Sequence, residues 1–209
     1  MKRQLTEDEF LKDVALHRIT IEHNQGVFRH IKLARPKSCA MSFYLTTWPG
    51  HLAISGDMGT FVFSRLADMF EFFRTQPCKD EKLPINPSYW AEKCEAEDNR
   101  GQGLREFCAD TLSRYCREAL AEHFDDPDSL EAQECWAEIY KQVLSAESEH
   151  EAHIALRDFE HEGFEFCDSW EWNLKNYTWR FTWCCYAIAW GIQQYDIARA
   201  ALAQEGGAQ

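Results

Sequence analysis

The chain of 209 residues contains no run of about 18 or more uncharged apolar residues, the length a membrane-spanning helix requires. Its most apolar stretch, Phe181 to Ile192, is shorter than that and follows Arg180. The N-terminus, Met-Lys-Arg-Gln, does not open the apolar stretch of a secretory signal. A cytoplasmic protein with no membrane partner is expected. No two cysteines are spaced as Cys-x-x-Cys, and their number, nine, is odd. A disulfide framework favours an even number in a small secreted chain, so reduced thiols acting as small hydrophobes are predicted. For the adjacent pair Cys184-Cys185, Arg180 is the sole nearby base that could activate a thiolate for redox work.

Three catalytic signatures are also missing: Gly-x-Ser-x-Gly, the phosphate-cradling Gly-x-x-x-x-Gly-Lys-Ser/Thr, and Gly-x-Gly-x-x-Gly. No catalytic residue and no cofactor follows from the sequence. The loop Ser55-Gly-Asp-Met-Gly59 reads as a tight turn whose glycines supply left-handed conformations, and not as a site for Asp57.

Basic residues are scarce in one region. Residues 1–75 hold 10 Lys/Arg and 8 Asp/Glu, whereas 76–209 hold 12 against 27. Between Glu118 and Glu171, 17 acidic residues face only Lys141 and Arg157. A field of that sign repels nucleic acid and attracts basic partners, so direct nucleic-acid binding is not expected.

What is present is ample core material, 45% hydrophobic and 14% aromatic residues. Thr6 and Glu9 form a capping-box pattern ahead of a helix ending near His17. Alternation then predicts strands over 18–23, 27–33, 40–48, 51–55 and 60–63, with turns at Gln25-Gly26, Pro49-Gly50 and Gly56-Asp57-Met58-Gly59. Helical spacing begins with Leu66, Met69, Phe70 and Phe73. Asn86-Pro87 predicts a cap and first turn for a helix over 88–95, followed by a polar connector. Further helices are expected over 104–122, from Asp126-Pro127 to Leu144, over 147–161, and over 177–203. In the last, Trp183, Tyr186 and Trp190 share one side with Trp179, and Phe181, Ile188, Ile192 and Tyr195 the other. A helix apolar on two opposed faces must be covered on both. The expectation is one α+β domain: an antiparallel meander of four or five strands in 1–75, packed against an acidic helical part, 76–209, with a buried Trp-rich last helix.

The acidic helices are the strongest functional pointer. In the helix after Pro127, Ala132, Trp136, Ile139, Tyr140 and Val143 share one face, with Glu131, Glu134 and Glu138 opposite. Such a stripe rises about 5 Å per turn, loosely comparable to the roughly 3.4 Å per phosphate along one DNA strand. Supplemented by Asp125, Asp126, Asp128, Glu147, Glu149 and Glu151, it could occupy a basic nucleic-acid channel; the plainer alternative is a solvated helix face. A second candidate is a metal site. Glu147-Ser-Glu-His150 and Asp158-Phe-Glu-His161 have carboxylate-x-x-His spacing, and His153 joins His150 and His161 on one helical stripe. Arg157 lies on that stripe too and would repel a cation. His150-Glu-Ala-His153 misses the His-Glu-x-x-His pattern by one residue.

Four blocks carry a resemblance. They are Thr47-Trp-Pro-Gly-His-Leu52, Gly56-Asp-Met-Gly-Thr-Phe-Val-Phe-Ser-Arg65, Ile85-Asn-Pro-Ser-Tyr-Trp90 and Trp183-Cys-Cys-Tyr-Ala-Ile-Ala-Trp-Gly-Ile-Gln-Gln-Tyr-Asp196. In these the chain resembles an uncharacterised family of short accessory proteins encoded by tailed phages and prophages of proteobacteria. The likeness spans most of the chain outside roughly Glu95 to Glu149. It implies an accessory phage gene, and by analogy an inhibitor of a host nucleic-acid-binding defence complex, a CRISPR effector first; the alternatives are a metal-dependent enzyme using the region of Glu147, His150 and His153, and a structural or regulatory protein that binds another phage protein.

Overall fold

A computed structural model describes residues 5–79, 81–98 and 103–206. The fold is α+β, and the chain forms two compact units. Arg105–Asn176 makes an acidic unit; the flanking chain, from Leu5 to Leu104 and from Tyr177 on, makes a sheet unit. The division therefore falls about thirty residues beyond the compositional boundary at 75.

The sheet unit opens with helix α1 (Glu7–Val14), whose Thr6 cap and Glu9 exchange the expected bonds: Thr6 N–H donates to Glu9 Oε2 at 3.0 Å and Glu9 N–H to Thr6 Oγ1 at 3.4 Å. Strands β1 (Arg18–Gln25), β2 (Phe28–Ala34), β3 (Phe43–Trp48), β4 (His51–Gly56), β5 (Gly59–Ser64) and β6 (Cys94–Glu97) follow as an antiparallel meander in sequence order. The first turn is Gly26-Val27, one residue later than expected. Gly26 has φ +60°, which fits the first central position of a type II′ turn, where glycine avoids the Cβ clash. Gly56 is demanded by close approach: a Cβ there would lie 2.2 Å from the Ser42 carbonyl oxygen. Asp57 accepts from Met41 N–H at 2.7 Å, so it ties this turn to the start of β3.

The sixth strand corrects the sequence reading. Helix α2 (Met69–Phe73) is capped by Asp68 and leaves Leu66 outside it, 44% exposed. Helix α3 (Pro87–Ala91) has the expected Asn86 cap and Pro87 first turn, but ends at Ala91. Cys94–Glu97 then pairs with the open edge of β5, Val62 opposite Ala96. Cys-Glu-Ala-Glu has little strand preference, so a long-range edge decides its state and local pattern does not.

One face of the sheet is buried: Ile31, Leu33, Phe43, Leu45, Leu52, Ile54, Phe61 and Phe63. Helix α7 (Trp179–Gly206) lies on that face, touching β1, β3 and β5 as well as α1, α2 and α3. Thr178 Oγ1 accepts from Phe181 N–H at 3.1 Å and so starts it. Both predicted apolar faces of α7 are covered. Phe10 of α1 meets the Trp183 ring at 5.2 Å and Tyr186 at 5.5 Å, while Phe181 meets Phe61 at 5.3 Å and Tyr195 meets Phe70 at 5.1 Å. Trp183 is fully buried and Trp179 is 38% exposed. Gly191 sets how close the helix comes: a Cβ there would sit 2.8 Å from Leu45 Cδ1.

The acidic unit holds helices α4 (Ala109–His123), α5 (Leu130–Gln142) and α6 (Glu149–Asp158). Short strands β7 (Arg105–Phe107) and β10 (Lys175–Tyr177) pair, and β8 (Glu160–His161) with β9 (Phe164–Glu165) makes a hairpin. None of these strands is expected from the sequence, and α6 ends three residues before the expected His161. The helix stops because Phe159 adopts extended backbone, φ −79° and ψ 129°, and turns into the hairpin core beside Phe164 and Phe166. Leu112, Cys116, Leu120, Cys135, Ile139, Val143 and Leu156 complete that core.

Candidate functional site

The acidic surface is organised around α5. The helix starts three residues later than Asp126-Pro127 would give, because Ser129 is the cap and its Oγ accepts from Ala132 N–H at 3.2 Å. Asp126 Oδ1 accepts instead from Asp128 N–H at 3.0 Å, shaping a turn. Asp125, Asp126 and Asp128 therefore lie exposed in the loop before α5. The buried stripe of α5 is Ala132, Cys135, Ile139 and Val143. Tyr140, expected on that face, is 68% exposed, and Trp136 is half-buried. The stripe is narrower than predicted, since a single row at spacings of three and four suffices against α4.

Glu131 and Glu134 are exposed on α5, and Glu138 is half-buried. Glu138 Oε2 accepts from Gln142 Nε2 at 2.7 Å and its other oxygen meets Lys141 Nζ at 3.6 Å. The Gln142 bond, then Lys141, hold its carboxyl below the ordinary value. Glu147, Glu149 and Glu151 gather at the start of α6, where Ser148 caps by accepting from Glu151 N–H at 3.3 Å. Glu151 Oε2 accepts from Glu147 N–H at 3.0 Å, and Glu149 meets Lys175 Nζ at 2.6 Å. These three carboxylates sit where a helix dipole favours negative charge, so part of their role is structural.

Five of the nine carboxylates, Asp125, Asp128, Glu131, Glu134 and Glu147, are exposed and make neither an ion pair nor a hydrogen bond through the carboxylate among the described residues, while those of exposed Asp126 and Glu151 accept from backbone N–H groups. Glu131 and Glu134 lie on α5, a helix about 20 Å long at 1.5 Å per residue, with Asp125 and Asp128 before it in the chain and Glu147 after it. Charge is segregated along the chain. Residues 105–176 hold six Lys and Arg against nineteen Asp and Glu, a net −13, while the remaining 137 residues hold sixteen of each.

The metal alternative does not assemble. Among the described residues no group of three or more His, Cys, Asp or Glu could hold a metal ion. Glu147 and His150 are exposed, and Asp158 is chelated by Arg157, whose Nε and Nη2 donate at 2.7 and 3.1 Å. His161 leaves the stripe of His150 and His153 because α6 ends before it. Imidazole nitrogens Nδ1 of His153 and Nε2 of His161 are buried without a partner among the described residues.

All nine cysteines are free thiols. Burial pushes Cys94 up to about 11 and Cys116 to about 12, and raises Cys184 and Cys185 further. Arg180 draws Cys184 the other way but is outweighed, so the adjacent pair packs as apolar surface. Sequence reasoning missed Arg117 of α4, whose guanidinium lies 4.0 Å over the Trp136 ring on α5. Nothing local links positions nineteen apart on different helices, so only the packed pair shows it.

These features define an α+β protein with a neutral sheet unit and a polyanionic helical unit. No family model, curated protein or solved structure matches the chain. Among the described residues, no helix is long and apolar enough to cross a membrane.

Proposed function

We propose that this protein is a stoichiometric inhibitor whose acidic unit occupies the Lys/Arg-lined nucleic-acid channel of a host defence complex, a CRISPR effector first, in the phage setting that the sequence resemblance implies. The observation that carries the reading is the confinement of the whole net charge of −13 to residues 105–176, with five exposed carboxylates left unpaired. A solvated surface that served solubility alone would mix both signs. Unpaired carboxylates on α5 and in the loops beside it keep their field available to a basic partner, steer its approach, and make the complex sensitive to salt.

The test is capture from host lysate at low and at high salt, with the Glu131→Gln, Glu134→Gln, Glu147→Gln triple variant beside the parent. The parent recovers a nucleic-acid-binding complex at low salt, added DNA competes, and the triple variant recovers at least about tenfold less. Recovery of no nucleic-acid-binding protein at low salt overturns the reading.

A further inference from the structure

A cleft of about 600 Å³ opens in the acidic unit between α4, the loop before α5, and α5 itself. Leu120, Pro127, Ala132 and the Trp136 ring give it apolar walls, and Arg117, Asp128 and Gln133 supply its polar groups. Its volume lies within the range of small-molecule sites.

Arg117 is unusual for its surroundings. Arg114, Lys141, Arg157 and Lys175 each pair with a carboxylate. Arg117, among the described residues, has neither a hydrogen-bond nor an ion-pair partner, although its unit carries −13, and it rests over Trp136 instead. Asp128 lines the same cleft, and its carboxylate is also without an ion pair among the described residues. Two opposite charges thus border one apolar cleft without meeting each other. Gln133 donates Nε2 to the Asp128 carbonyl oxygen at 2.8 Å, which leaves its amide oxygen as an acceptor at the wall.

The geometry points to a binding site for a small zwitterion with an apolar or aromatic body, of the α-amino-acid or dipeptide class: carboxylate to Arg117, ammonium to Asp128 and the Gln133 oxygen, side chain against Leu120, Pro127 and Trp136. Electrostatics selects this class over its neighbours. A purely anionic ligand is opposed by the charge of the unit and leaves Asp128 without a partner, and a purely cationic one leaves Arg117 without a partner. A ligand neutral overall but charged at both ends meets neither penalty and satisfies both lone groups. This inference shares Asp128 with the inhibitor reading, whose test variants at Glu131, Glu134 and Glu147 lie outside the cleft lining, so the two fail separately.

The test is titration of the isotopically labelled full chain with L-phenylalanine, phenethylamine and phenylpropionate, followed by NMR at the Trp136 indole N–H and the Gln133 side-chain amide. L-Phenylalanine is expected to shift both saturably, and each singly charged analogue to bind at least about tenfold more weakly. Arg117→Gln weakens L-phenylalanine and phenylpropionate but leaves phenethylamine unchanged; Asp128→Asn does the reverse for the two analogues. Both residues are exposed, so the variants fold, which the remaining amide spectrum checks. Absence of saturable shifts up to about 10 mM, equal affinity for all three probes, or indifference to both substitutions overturns the assignment.

Discussion

The two units of this chain solve the same problem, burying apolar surface, with opposite uses of charge. In the sheet unit, charge is balanced and tied into structure. Arg29 is the example: its guanidinium donates to both Asp68 oxygens at 2.8 and 2.7 Å, sits over the Phe70 ring at 4.6 Å, and links β2 to the capping residue of α2. In the acidic unit, charge is in excess and much of it contacts nothing. The comparison teaches where each unit keeps its stability. The sheet unit depends on a few large side chains and on shared ion pairs, whereas the acidic unit depends on its slender helical core and leaves its surface free for binding.

The largest break in that comparison comes from Trp183→Ala. Trp183 is fully buried, contacts the rings of Phe10 and Phe43, and donates from Nε1 to Asp13 Oδ2 at 3.1 Å. Removing a buried aromatic of this size costs about 3–5 kcal/mol, read as a lower urea midpoint. The equivalent truncation of half-buried Trp136 in the acidic unit costs less, because part of that ring already faces the cleft. Equal midpoint shifts for the two would sink the distinction. Next, Gly191→Ala drives a methyl toward Leu45 Cδ1 at 2.8 Å and Phe43 Cε2 at 3.4 Å, with an expected loss of about 1–3 kcal/mol from overpacking despite the better helix propensity of alanine.

A pH test sharpens the contrast further. The hydrogen bonds from Arg29, with that from Phe70 N–H, hold the Asp68 carboxyl below its ordinary value against the opposing effect of burial. A depressed folded-state pKa gives stability that is present above the unfolded carboxylate value, near pH 4, and is lost as pH falls through the folded one. Asp68→Asn should therefore cost about 1–3 kcal/mol at neutral pH and progressively less below about pH 4. Denaturant midpoints of parent and variant measured from neutral to acid pH check this. A gap that stays constant across the range would assign the loss to the cap and not to the ion pair.

Much of this architecture is legible in the sequence, and the parts that are not share a cause. The meander is read from its alternation and its Gly and Pro turns, and α7 from two opposed apolar faces, because these are local periodic signals of long elements. Cys94–Glu97, Arg105–Phe107 and Lys175–Tyr177 are strands only because a distant edge offers them partners, and their composition does not favour pairing. The carboxylates of the candidate surface were visible as residues, and the turn at Asp126 that sets three of them before the helix was not. The cleft was invisible altogether, since Arg117 and Trp136 meet only when α4 and α5 pack.

The smallest expected effect on stability is the one on which the contrast turns. Glu131 and Glu134 are exposed and unpaired among the described residues, so Glu131→Gln with Glu134→Gln should leave the urea midpoint within about 0.5 kcal/mol of the parent. Removing like charges from one helix face could even raise it slightly, by the repulsion between neighbours on a turn. The same pair of substitutions should weaken capture of a basic partner and flatten its dependence on salt, since each carboxylate acts through its field and not through a contact within the fold. Should stability fall by as much as it does for Asp68→Asn, these carboxylates would be structural like those of the sheet unit, and the division of labour between the two units would be lost.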